Sequence, residues 1–456
     1  MFLASSSRFV LACAMWAVNR FYEVGRVGQA IPEGPALVIA NHPNSLMDGL
    51  IVMKIAGRPV RPLARAPLFQ EALMGHMLRG LGALPVYRPQ DFPGETSRNE
   101  DTFRAATAAL LRREAVLIFP EGLSHSEAHL VRMKTGAARI AFEAEEAANW
   151  QLGLRIVPVG LTYHRKHAIR GKVAASVGRS FEVARWREMR QRDAWGAVES
   201  LTDAMREALE KVTLNLPTQE DRALLEAAET LYAAEKGLTG PRARQGLAPR
   251  LPRLRRFAEG LAWLHIADPE LYEKLGASVR AYQEHLALLG VREGEVPEHF
   301  RPLGVVRYVV VQGLALVVGL PLAVLGTIVW YLPYKSPRVS LGMYRPPYEA
   351  VASLKLATAL ITFPATYALY LAAAWWIAGL PALIAVAVVL PVTGLVALRW
   401  RDRWRMVRED TRVFWRSIRM RALREQLVTR RQELVAEFEA VERRWREARR
   451  ARKSMA

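Results

Sequence analysis

Hydrophobic and polar positions change rhythm three times along the chain. Up to about Leu216, short apolar runs bounded by turn residues alternate with helical patterns; the clearest are Ala36 to Ala40, Val116 to Phe119 and Ile156 to Leu161. Near-continuous apolarity over so few residues predicts strands covered on both faces, and therefore an α/β domain with a mixed sheet flanked by helices. Pro158, inside the third run, argues against a central ladder position there. From Pro217 to about Phe300 the pattern turns helical and polar, with a break expected in the Gly-, Pro- and Arg-rich stretch from Pro241 to Pro252.

A third rhythm begins near Leu303. Val305 to Leu332 is almost entirely apolar apart from Arg307 and Gln312, and Leu356 to Leu398 contains no charged residue. A helix needs roughly 20 apolar residues to cross the hydrocarbon core, so the first stretch suits one span. The second suits two, 356–378 and 380–398, joined at Gly379-Leu380-Pro381. Soluble helices of this length normally carry a polar stripe, which is missing here. Residues 1–22, with Trp16, Arg20 and Phe21, read as an interfacial amphipathic helix. In the tail, Leu427, Leu434 and Val441 recur every seven residues with Phe438 and Trp445 nearby, the pattern of an amphipathic helix or short coiled coil. The expected layout is thus an N-terminal interfacial helix (1–22), an α/β domain (23–216), a helical region (217–300), C-terminal transmembrane helices (301–400) and a basic helical tail (401–456).

Charge sharpens this picture. Over 456 residues, 64 Lys plus Arg stand against 44 Asp plus Glu, a net +20, while 51% of positions are hydrophobic. That pairing excludes a disordered basic protein and leaves an anionic membrane surface or nucleic acid as partner. From Arg399 onward the tail carries 19 basic and 9 acidic residues, half of the whole excess, directly after a membrane segment. This is the expected flank on the cytoplasmic side, where anionic lipid attracts it. No helix-turn-helix, zinc or aromatic-basic RNA signature accompanies the charge, so no nucleic acid is expected. Three full spans would separate the basic N-terminal zone from the basic tail, so an even number of crossings is expected. Gly319-Leu320-Pro321 makes 305–332 a candidate re-entrant segment, although Tyr308, Trp330 and Tyr331 resemble the interfacial anchors of a straight span. A single cysteine, Cys13, excludes an intramolecular disulfide framework and paired-cysteine zinc sites, and the scattered histidines give no metal-ligand pattern.

Four blocks in the first zone carry the candidate chemistry. Asn41-His42-Pro43-Asn44-Ser45-Leu46-Met47-Asp48 follows a strand-like run, and a histidine with a nearby carboxylate can form a pair in which the acid fixes the imidazole tautomer. Gly82 to Arg88 ends in an arginine suited to bidentate phosphate recognition. Phe119-Pro120-Glu121-Gly122-Leu123-Ser124-His125 brackets a glutamate in a tight turn at a strand end. Ile156 to Leu161 is the fourth.

In order and spacing these blocks resemble the motifs of the glycerolipid acyltransferases over roughly Ile31 to Val183, with Phe-Pro-Glu-Gly after a strand as the most distinctive element. His42 and Asp48 have five residues between them where the family has four. With Phe119 to His125 and Lys134-Thr135-Gly136, that longer block looks like the eukaryotic-type glycerol-3-phosphate and dihydroxyacetone-phosphate acyltransferases. Ser124 stands where many relatives have arginine, and Arg132 or Lys134 is the candidate replacement.

The resemblance implies that His42 is the general base and Asp48 its partner. It also implies that Arg88, Glu121, Gly122, Ser124, His125 and Lys134 form the acceptor site. The implied reaction moves an acyl chain from a thioester, acyl-CoA or acyl carrier protein as co-substrate, to glycerol 3-phosphate or a related phosphorylated acceptor; no resident cofactor or metal is implied. Arg61, Arg65, Arg165 and Lys166 are candidates for the donor's phosphate end. Lysophosphatidate as acceptor and an inactive membrane-anchored scaffold are the alternatives. Membrane lipids are the remaining expected partner, with a multi-pass chain and its catalytic domain on the cytoplasmic side.

Overall fold

The computed structural model describes residues 12, 15–88, 91, 98–218, 220–238, 246–289, 302–419 and 421–455. Most of the proposed interfacial helix therefore lies outside the described residues; within 15–21 the chain is helical, with Ala17, Val18 and Phe21 buried and Trp16 exposed. The chain divides into two compact units.

The first unit comprises 1–219 with two later pieces, 246–255 and 346–353. Its centre is an eight-stranded mixed sheet: β1 (Tyr22–Gly28), β2 (Ala36–Ala40), β3 (Val60–Arg65), β4 (Leu84–Val86), β5 (Ala115–Ile118), β6 (Arg155–His164), β7 (Gly171–Val177) and β8 (Phe181–Glu182). The strand order is β1-β7-β6-β2-β5-β3-β4, with β8 also on β6. β6, β2, β5, β3 and β4 run parallel, and β7 and β8 are antiparallel to β6. Helices α1 (Leu46–Ala56), α2 (Ala72–Gly80), α3 (Arg98–Leu111), α4 (Gly136–Ala147) and α5 (Ala194–Glu210) connect and cover the sheet. β2 is buried at every position, as its apolar run requires, and Leu37, Ile39, Val116 and Ile156 share one core with Leu110, Phe142 and Leu201 of the helices.

Two expectations about proline are corrected. Pro158 sits in an interior strand, opposite Ile39 of β2. Its missing N–H is tolerated because β6 changes partner there: pairing to β8 ends at Ile156, and pairing to β7 begins at Val159. The expected break does not reach Pro252, which lies within a helix over Leu247–Ala267. Burial of Leu247, Leu251 and Leu254 outweighs the lost backbone bond.

The second unit is helical, comprising 220–245, 256–345 and 354–456. We label its helices α6 (Glu220–Glu235), α7 (Leu247–Ala267, whose start belongs to the first unit), α8 (Pro269–Leu289), α9 (Pro302–Val329), α10 (Tyr331–Tyr344), α11 (Val351–Arg419) and α12 (Arg421–Met455). The seven-residue stripe of α12 packs on α6 and α8: Leu427 and Leu434 are buried with Leu231, Val279, Tyr282 and Leu286. Buried Arg431 of α12 is ion-paired with Glu235 at 2.7 Å.

Two stretches, Arg307–Val329 and Tyr348–Arg408, are long and apolar enough to cross a membrane. α11 is two helices merged across a break at Ala378 and Gly379. The Trp400 indole donates to the Leu316 carbonyl (2.8 Å) and the Trp330 indole to that of Leu390 (3.0 Å), so the second arm of α11 runs antiparallel to α9. The Tyr367 hydroxyl reaches the Ala387 carbonyl at 2.8 Å, so the two arms of α11 fold back on each other. α10 runs back along the first arm, with Ser336 bonded to Thr362 and Thr358 to Ser340. The chain thus turns at Trp330, while α9 continues through Gly319-Leu320-Pro321. Further along α9 a glycine serves close packing: a Cβ on Gly326 would stand 2.2 Å from the Thr393 carbonyl oxygen.

Candidate active site

In parallel strands every C-terminal end lies on one edge, and that edge is where open α/β sheets place their ligands. Asn41 and His42 follow β2, Arg88 lies two residues past β4, Glu121 three past β5, and Tyr163 is the penultimate residue of β6. β2 lies between β6 and β5, so His42 sits between the end of β6, which carries Tyr163, and the Glu121 loop.

The His42 ring bonds through Nδ1 to Asp48 Oδ2 at 2.9 Å and stacks on Phe119 with centroids 3.9 Å apart. Asp48 is fully buried in the first turn of α1, where six-residue separation brings it back under the ring. Its carboxylate also accepts the Asn44 backbone N–H (2.6 Å, Oδ2) and the Tyr163 hydroxyl (2.5 Å, Oδ1). Burial, with the Asp48 charge beside it, pushes the Tyr163 phenol well above its ordinary value, so it remains a donor. Beneath lies a second layer: the Asn44 amide donates to the Tyr22 hydroxyl at 2.8 Å, and that hydroxyl donates to the Lys166 carbonyl. With Nδ1 held by Asp48 as the protonated nitrogen, Nε2 is the basic atom of His42.

Glu121 is buried and committed within the protein. It accepts the His42 backbone N–H (3.1 Å) and the Val131 N–H (3.1 Å), and bonds to His125 Nε2. That last bond raises the His125 pKa above its ordinary 6.5 against the opposing effect of burial. The Glu127 N–H lies 3.2 Å from His125 Nδ1, a contact the protonated ring gives up in exchange for the stronger charge-assisted bond. Ser124 also works internally: it accepts the Ser45 N–H at 3.0 Å and donates to the His42 carbonyl at 2.8 Å. It thereby clamps the two motif loops together where Ser45 adopts a left-handed φ of 44°.

Arg88 uses three of its five N–H donors, two on Asp91 (2.8 and 3.1 Å) and one on the Gly122 carbonyl (2.9 Å). The guanidinium groups of Arg88 and Arg65 hold the Asp91 carboxyl far below the usual carboxylate range. Gly122 has φ 71°, and a Cβ there would meet the Lys134 side chain at 2.9 Å. The exposed Lys134 thus lies over the Glu121–Gly122 turn, with Arg132 exposed two residues before it.

The structure gathers His42, Asp48, Glu121, Ser124 and His125 into one hydrogen-bonded cluster, which the Gly122 carbonyl links to Arg88. Three of the cations considered for the donor are otherwise engaged. Arg61 pairs with Glu114, Arg65 pairs with Asp91, and Lys166 is buried with its ammonium on the Pro43 carbonyl at 3.0 Å. Tyr163 and Tyr22 carry no local motif, and sequence reasoning did not find them; only the register of β6 beside β2 brings Tyr163 to Asp48, 115 residues away.

The family model "Acyltransferase" matches residues 24–162. An uncharacterized acyltransferase of Schizosaccharomyces pombe is 22% identical over 353 residues, 58% of this chain and 50% of that protein. Glycerol-3-phosphate O-acyltransferase 2 of Saccharomyces cerevisiae is 30% identical over 139 residues, 30% of this chain and 19% of that enzyme. The chain thus spans half or less of the length of these curated relatives. A crystal structure of the 1-acyl-sn-glycerophosphate (LPA) acyltransferase PlsC from Thermotoga maritima aligns at 20% identity and a TM-score of 0.32, over 45% of this chain and 79% of that one. The match to the acyltransferase family model thus covers the stretch, residues 24–162, that holds the His42–Asp48 pair and the Phe119 to Gly122 turn at the C-terminal edge of the sheet.

Proposed function

We propose that the chain transfers a fatty acyl group from an acyl thioester, carried on coenzyme A or acyl carrier protein, to glycerol 3-phosphate or dihydroxyacetone phosphate at a membrane surface. The observation that carries this reading is the His42 ring, tethered to Asp48 through Nδ1 and stacked on Phe119 beside the Arg88 loop. Nε2 takes the proton of the acceptor hydroxyl as its oxygen attacks the thioester carbonyl. Asp48 stabilises the imidazolium that results. When the tetrahedral intermediate collapses, the C–S bond breaks and Nε2 returns its proton to the leaving thiolate. No covalent enzyme intermediate is required, since the acceptor alcohol is itself the nucleophile.

The choice of acceptor draws on the longer His42–Asp48 block and on the yeast relatives named glycerol-3-phosphate O-acyltransferases. The two donors of Arg88 left over from Asp91 and Gly122, with the Lys134 ammonium near Gly122, suit its phosphate. Apolar helices in the second unit favour attachment to a bilayer, with the catalytic unit on the cytoplasmic side. The test is a product assay on purified enzyme with radiolabelled acyl-CoA or acyl carrier protein and each acceptor in turn. Glycerol 3-phosphate or dihydroxyacetone phosphate is expected to be acylated, and His42→Ala to lose about 10²–10⁴-fold in turnover while remaining membrane-bound. Acylation of lysophosphatidate alone would refute the acceptor, and near-normal turnover by His42→Ala would refute the reaction.

A further inference from the structure

Between α10 and α11 the chain makes a short excursion, Pro346–Ser353, that belongs to the first unit although the helices on either side belong to the second. A 3-10 turn, Tyr348–Ala350, presents two side chains to the catalytic loops. The Ser126 hydroxyl donates to Glu349 Oε1 at 2.7 Å. The Lys166 ammonium donates to that same hydroxyl at 2.6 Å and to the Pro43 carbonyl at 3.0 Å, and it lies 4.4 Å from the centroid of the Tyr348 ring. His167 meets the Tyr348 ring edge-on at 4.3 Å.

Pro43 follows the base in sequence and Ser126 follows His125, so both anchors adjoin loops that hold His42. A buried ammonium needs compensating charge and polarisable surface around it, and here the carboxylate of Glu349, one hydroxyl away, and the face of Tyr348 supply part of both. The turn thus reaches the His42 loop through Lys166 and the His125 loop through Ser126.

We propose that Tyr348 and Glu349 are positioning residues for acyl transfer, seating Lys166 and Ser126 so that the His42 loop keeps the geometry of a general base. This rests on the reading of His42 as that base. Neither side chain needs to touch substrate, and the stretch that joins the apolar helices becomes part of the catalytic unit. The effect belongs to turnover rather than to substrate binding, and kcat and its pH profile read it.

The test compares full-length wild type with Glu349→Gln, Glu349→Asp, Tyr348→Ala and Lys166→Met in the acyl-transfer assay, with His42→Ala as control. Tyr348 is 59% exposed, so Tyr348→Ala keeps the fold and decides the matter if a Glu349 variant does not. Glu349→Gln and Tyr348→Ala are expected to lower kcat about tenfold and move the acid limb of the kcat profile, with both KM values within twofold and melting temperature unchanged. Glu349→Asp should recover most of the loss, and Glu349→Gln combined with Lys166→Met should lose less than the sum of the two. Unchanged kcat in folded variants, or a higher KM at constant kcat, would overturn the proposal while leaving the His42 mechanism standing. Turnover surviving in His42→Ala would instead remove the reading beneath it.

Discussion

The bond between His125 and buried Glu121 gives the site a pH signature of its own. Because the folded-state pKa of His125 is raised above 6.5, folding favours the protonated ring. Its stabilisation is therefore complete below about pH 6.5 and disappears as pH climbs through the raised value. The difference in melting temperature between wild type and His125→Gln is expected to be largest on the acid side and to shrink as pH rises through that window. A difference that stays constant across the window would contradict the assignment. At this scale the sequence was informative where motif residues are local: His42, Asp48, Glu121 and Ser124 fall within two short blocks. It was silent on Tyr163, because a tyrosine at the end of an apolar strand looks the same whether or not its hydroxyl meets a carboxylate. It also placed Lys166 among candidates for the donor, since burial of an ammonium leaves no local mark.

Among the elements, β6 bears the most constraint. It supplies Tyr163 at one end, changes partner at Pro158, and at Gly160 passes so close to the end of α5 that a Cβ would lie 1.9 Å from the Val212 carbonyl oxygen. That oxygen belongs to the backbone and also accepts from Arg255, so it cannot move aside cheaply. Gly160→Ala is expected to cost about 1–3 kcal/mol, the range for overpacking, measurable by chemical denaturation of the purified protein. An unchanged midpoint and slope would show that β6 and Val212 separate easily. The strands of this unit were legible because apolar runs of four to six residues between turn signals have few other folded uses. The proline positions were misread for the converse reason. Whether a missing N–H matters depends on which neighbour stands opposite it, and that is a property of the sheet.

Across the whole molecule, the apolar stretch α9 to α11 of the second unit forms two hairpins, one turning at Trp330 and the other at Ala378–Gly379. Both return the chain to the end at which they began, so Tyr344 and the Arg399 to Arg408 region lie at the same end of the hairpins. Outward-facing Val317, Val318, Ile328, Trp376 and Ile377 suit contact with hydrocarbon. In a Cys13→Ser background, single cysteines introduced at Met343 and Arg403 are expected to react with an impermeant maleimide from the same side of sealed vesicles, and one at Ile377 to be shielded from that side. Labelling of the first two from opposite sides would rule out the paired hairpins. By itself the sequence determined the composition of each element and which residues form the local histidine-carboxylate block, because burial on both faces, membrane-length apolarity and that block are all encoded within a few neighbouring residues. Tertiary structure alone decided which distant side chains complete the site and where the hairpins turn. Strand register brings Tyr163 to Asp48, and the excursion at 346–353 brings Glu349 to Ser126, across 115 and 223 residues that carry no local trace of the meeting.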